Sequence, residues 1–372
     1  MKITQQFLTK TKNVPTPFLM MDLDQVRKNY HRIQKSIDGV EVYYSIKAND
    51  HERIVETLAK ENCSFDVSSL RELKLLMKIG VSAERIKCFH PIKNAEFLTE
   101  LHKYGVDRLA ADSLEEIDKI AKFAPKSKIV LRIIVDNEGS DWPLTTKFGI
   151  EALESIKFFA YAKKKGLEPY GLTFHVGSQC LNKDNWANAM SAMDDIWQKA
   201  EKEGMPLTQL SLGGGIPIQH IKKIPSVEEI GKSVNHALKN KFHMVGGRKL
   251  RVTIEPGRGL VGDAGIIGST VVGKAKRGDE SWIYVDAGVF NALMETVEGF
   301  QYEITTADKR KSKVTSIGGP SCDSVDIPFK NVTIPDVRID ERIYILNAGA
   351  YTTVYASEFN GFAPLKIYFL EE

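Results

Sequence analysis

The sequence predicts a (β/α)₈ barrel followed by a β-rich domain, and two observations carry that expectation. Between Asp22 and Gly257, short β-branched or aromatic runs alternate with amphipathic helical stretches about eight times, as such a barrel and its usual length require. After residue 260 the texture changes to strand-like runs between GlyAsp, GlyGly and AsnGly pairs, with few helical stretches between them. A doubly wound open sheet shares the first pattern, because periodicity does not report closure.

In order, FLMMD at 18–22 reads as a strand, and Leu23–Ile37 carries apolar residues at helical spacing. The expected barrel strands are Val42–Lys47, Ser64–Ser68, Ile86–His90, Arg108–Asp112, Ile129–Val135, Tyr170–Val176, Gln209–Leu212 and Val252–Glu255. Helical stretches such as Ser113–Phe123 and Ala187–Lys202 separate them. Later runs fall at Ile266–Val272, Trp282–Val285, Val314–Ile317, Arg342–Leu346 and Leu365–Phe369. Beyond this alternation the chain shows no internal repeat and no low-complexity segment.

With 372 residues, 42% hydrophobic and 27% charged, the chain is expected to be globular and soluble. Its 51 basic and 48 acidic residues leave a formal charge of +3 without long like-charge runs, so nucleic-acid and membrane binding find no electrostatic support. Small molecules are the expected partners. MKITQQFLTKTKN has no signal-peptide apolar core, and a cytoplasmic location is expected. Cys63, Cys88, Cys180 and Cys322 show no CxxC spacing, which argues for free thiols and against a zinc site.

Polar residues that a barrel core does not need collect at the expected strand ends, where active sites of parallel α/β folds gather. Lys47 ends EVYYSIK; at the rim of an apolar barrel, partial desolvation favours the neutral, nucleophilic amine. A lysine in that place is also an ordinary solvated rim charge. Asp66, Arg132, His175 and Ser178 follow. Gly213, Gly214 and Gly215 in SLGGGIP, with Arg258 in EPGRG, suit a phosphate cradle after the seventh and eighth strands; equally, three glycines make a tight turn. His175 could be a satisfied core histidine, Glu255 a carboxylate paired with Arg258, and Cys322 a small buried hydrophobe. An amine, a phosphate cradle, an imidazole and a buried carboxylate together suggest pyridoxal 5′-phosphate.

The motifs YYSIKAN, FDVSS, HVGSQ, LGGGIP, EPGRGL, GGPSCDSVD and GAYTTVYASEFNGF occur in the order found in the fold-type III pyridoxal-phosphate decarboxylases, which the chain resembles over almost its whole length. SDWPLTTKFG strengthens the resemblance to bacterial-type ornithine and lysine decarboxylases. The resemblance implies a cofactor-binding barrel over residues 22–258. It also implies a β-barrel or β-sandwich domain built from 1–21 and 259–372, which contributes to a dimer interface and to the active site. Residue by residue, Lys47 matches the lysine that bonds the cofactor and His175 the imidazole stacked on its ring. Ser178, Gly215, Arg258 and Tyr351 match phosphate ligands. Glu255 matches the carboxylate facing the ring nitrogen, which argues for decarboxylation over racemisation, and Asp66 and Arg132 match orienting neighbours. Cys322, the proton donor, and Asp323, the distal-ammonium ligand, match a pair that enters from the other subunit of a homodimer. CDS leans towards ornithine or lysine rather than diaminopimelate.

One segment departs from the family pattern. The acidic residue that completes the distal-amine pocket falls in NALMETVEGF, where Glu295 and Glu298 both remain candidates, and Phe290 stands where many relatives have tyrosine. Arginine, a D-amino acid or a nonstandard aminocarboxypropyl substrate therefore stays open. So does the second class of family member, a non-catalytic regulator, against which Lys47, Glu255, Cys322 and Asp323 argue. His31, His51, His90, His102, His220, His236 and His243 receive no role.

Overall fold

A computed structural model describes residues 2–144, 147–241, 250–308 and 310–371. His243 and part of SDWPLTTKFG lie outside the described residues. The strands in chain order are β1 (Phe18–Met21), β2 (Glu41–Ser45), β3 (Ser64–Asp66), β4 (Ile86–Lys87), β5 (Arg108–Ala111), β6 (Lys128–Arg132), β7 (Ser140–Trp142), β8 (Glu168–Thr173) and β9 (Ser178–Cys180). They continue with β10 (Gln209–Ser211), β11 (Arg251–Ile254), β12 (Gly265–Arg277), β13 (Glu280–Val285), β14 (Ile304–Thr306), β15 (Ser312–Gly318), β16 (Phe329–Pro335), β17 (Arg342–Ile345) and β18 (Lys366–Phe369). The chain divides into two compact units, Arg27–Pro217 with Ile224–Gly257, and Met1–Val26 with Ile218–Lys223 and Arg258–Glu372.

The first unit is the expected barrel. Its parallel strands run β4-β3-β2-β11-β10-β8-β6-β5, and a parallel bridge between Cys88 and Leu109 joins the two ends. Closure, which periodicity could not report, is thus a matter of one short bridge: Cys88 N donates to Arg108 O and Ala110 N to Cys88 O. RLAA is buried along its length, as are the three central residues of KIVLR, because helices cover one face and the barrel interior the other. Ser69, Asn94 and Ser113 cap the helices Leu70–Ile79, Ala95–Tyr104 and Leu114–Phe123 by accepting a hydrogen bond from the amide three residues on. Gly80 and Gly105 end the first two in the left-handed conformation, which costs glycine least.

The strands stop earlier than the sequence suggests. The expected strand Val42–Lys47 ends at Ser45, and Lys47 sits in the 3₁₀ turn Ile46–Ala48. Apolar character continues through Ile46 because the turn itself is buried, so composition alone does not mark the stop. Ile129–Val135 and Tyr170–Val176 likewise end at Arg132 and Thr173, where the chain turns into loops that lead to the antiparallel pair β7–β9.

The second unit holds a sheet ordered β14-β17-β12-β13-β15-β16. The amino-terminal β1 completes it, antiparallel to β12 and parallel to β18, so both ends of the chain belong to one β structure. Phe7, Phe18, Met20, Ile266 and Tyr344 form a core beneath that junction.

Candidate active site

At the carboxyl end of β2, Lys47 is exposed in the single chain, so the expected partial desolvation is not met there. Its turn is fixed nonetheless. Ser45 donates its amide to Pro256 O (3.2 Å) and its hydroxyl to Glu255 O (3.2 Å), while the Tyr44 hydroxyl donates to Asn49 O (2.8 Å). Asp66 ends β3, buried, and accepts the Phe89 amide at 2.9 Å. Burial first, then the neighbouring Glu255 charge, pushes its carboxyl up to about 6 against the opposing pull of Lys87 and Lys47.

His175 follows β8. Its Nδ1 accepts the Gly177 amide at 3.0 Å, so the neutral ring carries its proton on Nε2. Burial, reinforced by the positive charges of Arg132 and Lys47, holds its pKa well below the ordinary imidazole range, and the ring is neutral. Arg132, the last residue of β6, lies with its guanidinium 5.2 Å from the Phe148 ring centroid. Ser178 opens β9, paired antiparallel with β7 opposite Trp142.

The glycines after β10 make a close backbone approach that other residues would block. Gly213 and Gly215 have φ of +63° and +97°; a Cβ on Gly213 would lie 2.0 Å from Phe174 O, and one on Gly215 2.5 Å from Gly177 O. A Cβ on Gly214 would meet His175 Nε2 at 3.1 Å. The Gly214 and Gly215 amides donate to no group among the described residues, which leaves two N–H groups for an anion.

Glu255, just past β11, is buried and does not pair with Arg258. Its Oε1 instead accepts from Lys87 Nζ and Ser211 Oγ, with Thr253 Oγ1 at 3.5 Å. Sequence reasoning missed Lys87. Its only signal was a charge at an apolar position of a strand, between Ile86 and Cys88.

In the β unit, buried Arg258 forms a two-pronged pair with Glu295: Nη1 donates to Oε2 at 3.0 Å and Nη2 to Oε1. The Tyr302 hydroxyl donates to Glu295 Oε2 at 3.1 Å, and the guanidinium lies 5.0 and 4.9 Å from the rings of Phe300 and Tyr351. Glu298 is exposed on the same 3₁₀ turn. His220, given no role by the sequence, packs edge-on against Phe300 and Tyr302.

Cys322 is exposed, and both its amide (3.2 Å) and its thiol (3.1 Å) donate to Asn360 Oδ1. Asp323 is half-buried, and one of its carboxylate oxygens accepts the Val325 amide at 2.8 Å. Asp326, the last residue of GGPSCDSVD, anchors this loop by accepting the amides of Val289 (2.7 Å) and Ser321 (2.9 Å). Sequence reasoning passed over Asp326 and Asn360, whose partners lie 37 and 38 residues away.

The donor set fits pyridoxal 5′-phosphate: an exposed amine for its carbonyl carbon, glycine amides for its phosphate, a neutral imidazole, and a buried carboxylate for a ring cation. The chain belongs to the pyridoxal-dependent decarboxylases: that family's pyridoxal-binding domain matches residues 23–262. It is a pyridoxal-phosphate-dependent amino-acid decarboxylase of fold type III, a barrel joined in sequence to a β domain. Among its relatives, the lysine/ornithine decarboxylase of Selenomonas ruminantium is 32% identical over 368 residues, 97% of this chain and 91% of the relative. The solved structure of the S. ruminantium lysine decarboxylase with PLP and cadaverine superimposes with a TM-score of 0.93 at 30% identity, covering 100% of this chain and 95% of that one. The putrescine complex of the Vibrio vulnificus lysine/ornithine decarboxylase gives 0.90 at 25% identity, with 99% of each chain covered.

Asp66 gives this site a pH signature. In the cofactor-free protein its native carboxyl titrates near 6 against an ordinary 3.8, so the stability that it contributes is full below about pH 4 and is lost as pH rises through 6. Asp66→Asn should remove that contribution, making the slope of stability against pH more positive than in wild type by up to about 1.4 kcal/mol per pH unit. Glu72, which burial pushes up to about 7, adds to the fall, while His90, His175 and His220, whose imidazoles burial holds below their ordinary range, oppose it by gaining stability as pH rises towards 6.5, so the signature is the difference in slope between variant and wild type. Urea unfolding midpoints from pH 4.5 to 7 measure it; an unchanged slope in the variant contradicts the assignment.

Proposed function

We propose that this chain removes the α-carboxylate of ornithine or lysine, releasing carbon dioxide and the corresponding diamine. The observation that carries this reading is Glu255, a buried carboxylate at the rim of the barrel that also presents Lys47. When bound, pyridoxal phosphate supplies an electron sink for the charge that carbon dioxide leaves behind.

The side chains divide the remaining work. Lys47 would hold the cofactor through its amine. Glu255 would hold the ring nitrogen, where a carboxylate favours the protonated form and so deepens the sink. His175, neutral and held by the Gly177 amide, would pack on the ring without adding charge. Ser178, the Gly214 and Gly215 amides, Arg258 and Tyr351 would hold the phosphate, with Gly213, whose amide donates to Ser211 Oγ, making the turn, and Asp66 and Arg132 would orient Lys47 and the cofactor. Cys322 delivers a proton to Cα, with Asn360 holding the thiol beforehand. Asp323 takes the distal ammonium. Glu295 is already shared with Arg258 and Tyr302, which weakens its claim as the second acid, and Glu298 is exposed.

This reading places the cofactor in residues 22–258, and the dimer contacts in 1–21 and 259–372, in a homodimer whose partner supplies Cys322 and Asp323. A cytoplasmic location belongs to the same proposal and accords with four free thiols. Among the described residues no helix is long and apolar enough to cross a membrane. Carbon dioxide release is to be measured with L- and D-ornithine, L- and D-lysine, arginine and diaminopimelate. L-ornithine or L-lysine should give the highest kcat/KM; a preference for any of the others contradicts the substrate assignment. For the shared site, mixing inactive Lys47→Ala with inactive Cys322→Ala should restore up to about a quarter of wild-type activity, because one of the two sites in each heterodimer is intact. No recovery after verified subunit exchange sinks that part.

A further inference from the structure

Lys87 occupies a place where a barrel gains nothing from a charge. Its side chain is 0% exposed, packed with Nζ 4.1 Å from the ring centroids of both Tyr43 and Phe89. A methionine would fill the same volume without the desolvation that an ammonium suffers there. Two of its three N–H groups have acceptors: it donates to Glu255 Oε1 and to Thr253 Oγ1 at 3.0 Å. Burial lowers its pKa, the Glu255 and Asp66 charges oppose that fall and Arg108 adds to it, and the hydrogen bond to the Glu255 carboxylate is what keeps the proton on Nζ.

All the hydrogen bonds that the Glu255 side chain receives converge on one oxygen. Lys87, Ser211 and Thr253 address Oε1, and Oε2 accepts none among the described residues. A carboxylate gripped by one oxygen has its plane fixed and its other oxygen available, and an adjacent ammonium favours its ionised form. We propose that Lys87 is a positioning residue for the cofactor, holding Glu255 ionised with Oε2 presented to the ring nitrogen. The inference rests on the reading of Glu255 as the ring-nitrogen partner. Lys87 itself touches neither substrate nor cofactor; it acts through Glu255.

The test uses binding to the cofactor-free protein rather than turnover. Dissociation constants are measured by tryptophan fluorescence for pyridoxal 5′-phosphate and for its 1-deaza analogue, which has carbon in place of the ring nitrogen. Wild type should bind the natural cofactor more tightly than the analogue. In Lys87→Met that preference should shrink about tenfold or more, the size of one charge-assisted hydrogen bond, through weaker binding of pyridoxal phosphate with the analogue nearly unchanged. Lys87→Gln, which keeps a donor but no charge, should fall between the two and serves if the methionine variant does not fold. Equal losses for both ligands would make Lys87 merely structural and overturn the proposal, as would an unchanged or increased preference. A wild type that fails to distinguish the two ligands would instead remove the Glu255 reading itself, and the proposal with it.

Discussion

Lys47→Ala should lose carbon dioxide release by several orders of magnitude while its folding stability stays within about 0.5 kcal/mol of wild type. The two halves of that expectation have different causes. Lys47 is exposed, and its turn is held by Ser45, Tyr44 and the backbone rather than by its own side chain, so truncation removes no packing. The amine, by contrast, has no substitute at the rim. Lys87 is enclosed between Tyr43 and Phe89 and committed to Glu255, and Lys93 is enclosed by backbone carbonyls and Glu116. Steady-state assays paired with urea unfolding measure both halves. Substantial residual turnover, or a large loss of stability, contradicts the assignment of Lys47 as a purely chemical residue.

Glu295→Ala should show the opposite profile, with the cofactor-free protein destabilised by about 3–5 kcal/mol. Arg258 and Glu295 are both buried, and the pair is two-pronged, so removing the carboxylate strands a guanidinium in a low-dielectric site. Stacking of that guanidinium on Phe300 and Tyr351 compensates little, because those contacts exist already. Glu295→Gln, which keeps an acceptor for Arg258 but not the charge, should lose roughly half as much. A stability change below about 0.5 kcal/mol in the alanine variant would mean that the pair contributes little.

The barrel was legible because a strand buried on both faces writes itself as a β-branched run, as Ile129–Leu131 and Val42–Tyr44 do. Strand ends were less legible. Ile46 is as apolar as the residues before it, and only the bonds from Ser45 and Tyr44 reveal that the chain has already turned. The candidate site residues were found as an ordered set of motifs, not one by one. What the set omitted are the residues that hold other groups in place: Lys87 on the Glu255 carboxylate, Asn360 on the Cys322 thiol, Asp326 on the Val289 amide. Each pairs with a partner far along the chain, and a hydrogen bond between distant segments leaves no local pattern. The choice between Glu295 and Glu298 was unreadable for a related reason. Both sit on one short turn, and only the position of Arg258 distinguishes the buried acid from the exposed one.

The central claim is that the exposed lysine at the end of β2, rather than any buried one, carries the cofactor. Borohydride reduction of the pyridoxal-phosphate-loaded protein, followed by proteolysis and mass mapping, tests it most directly, since reduction makes the attachment permanent. The account predicts one modified peptide, with the cofactor mass on Lys47. The same mass on Lys87, or on any other lysine, would contradict it.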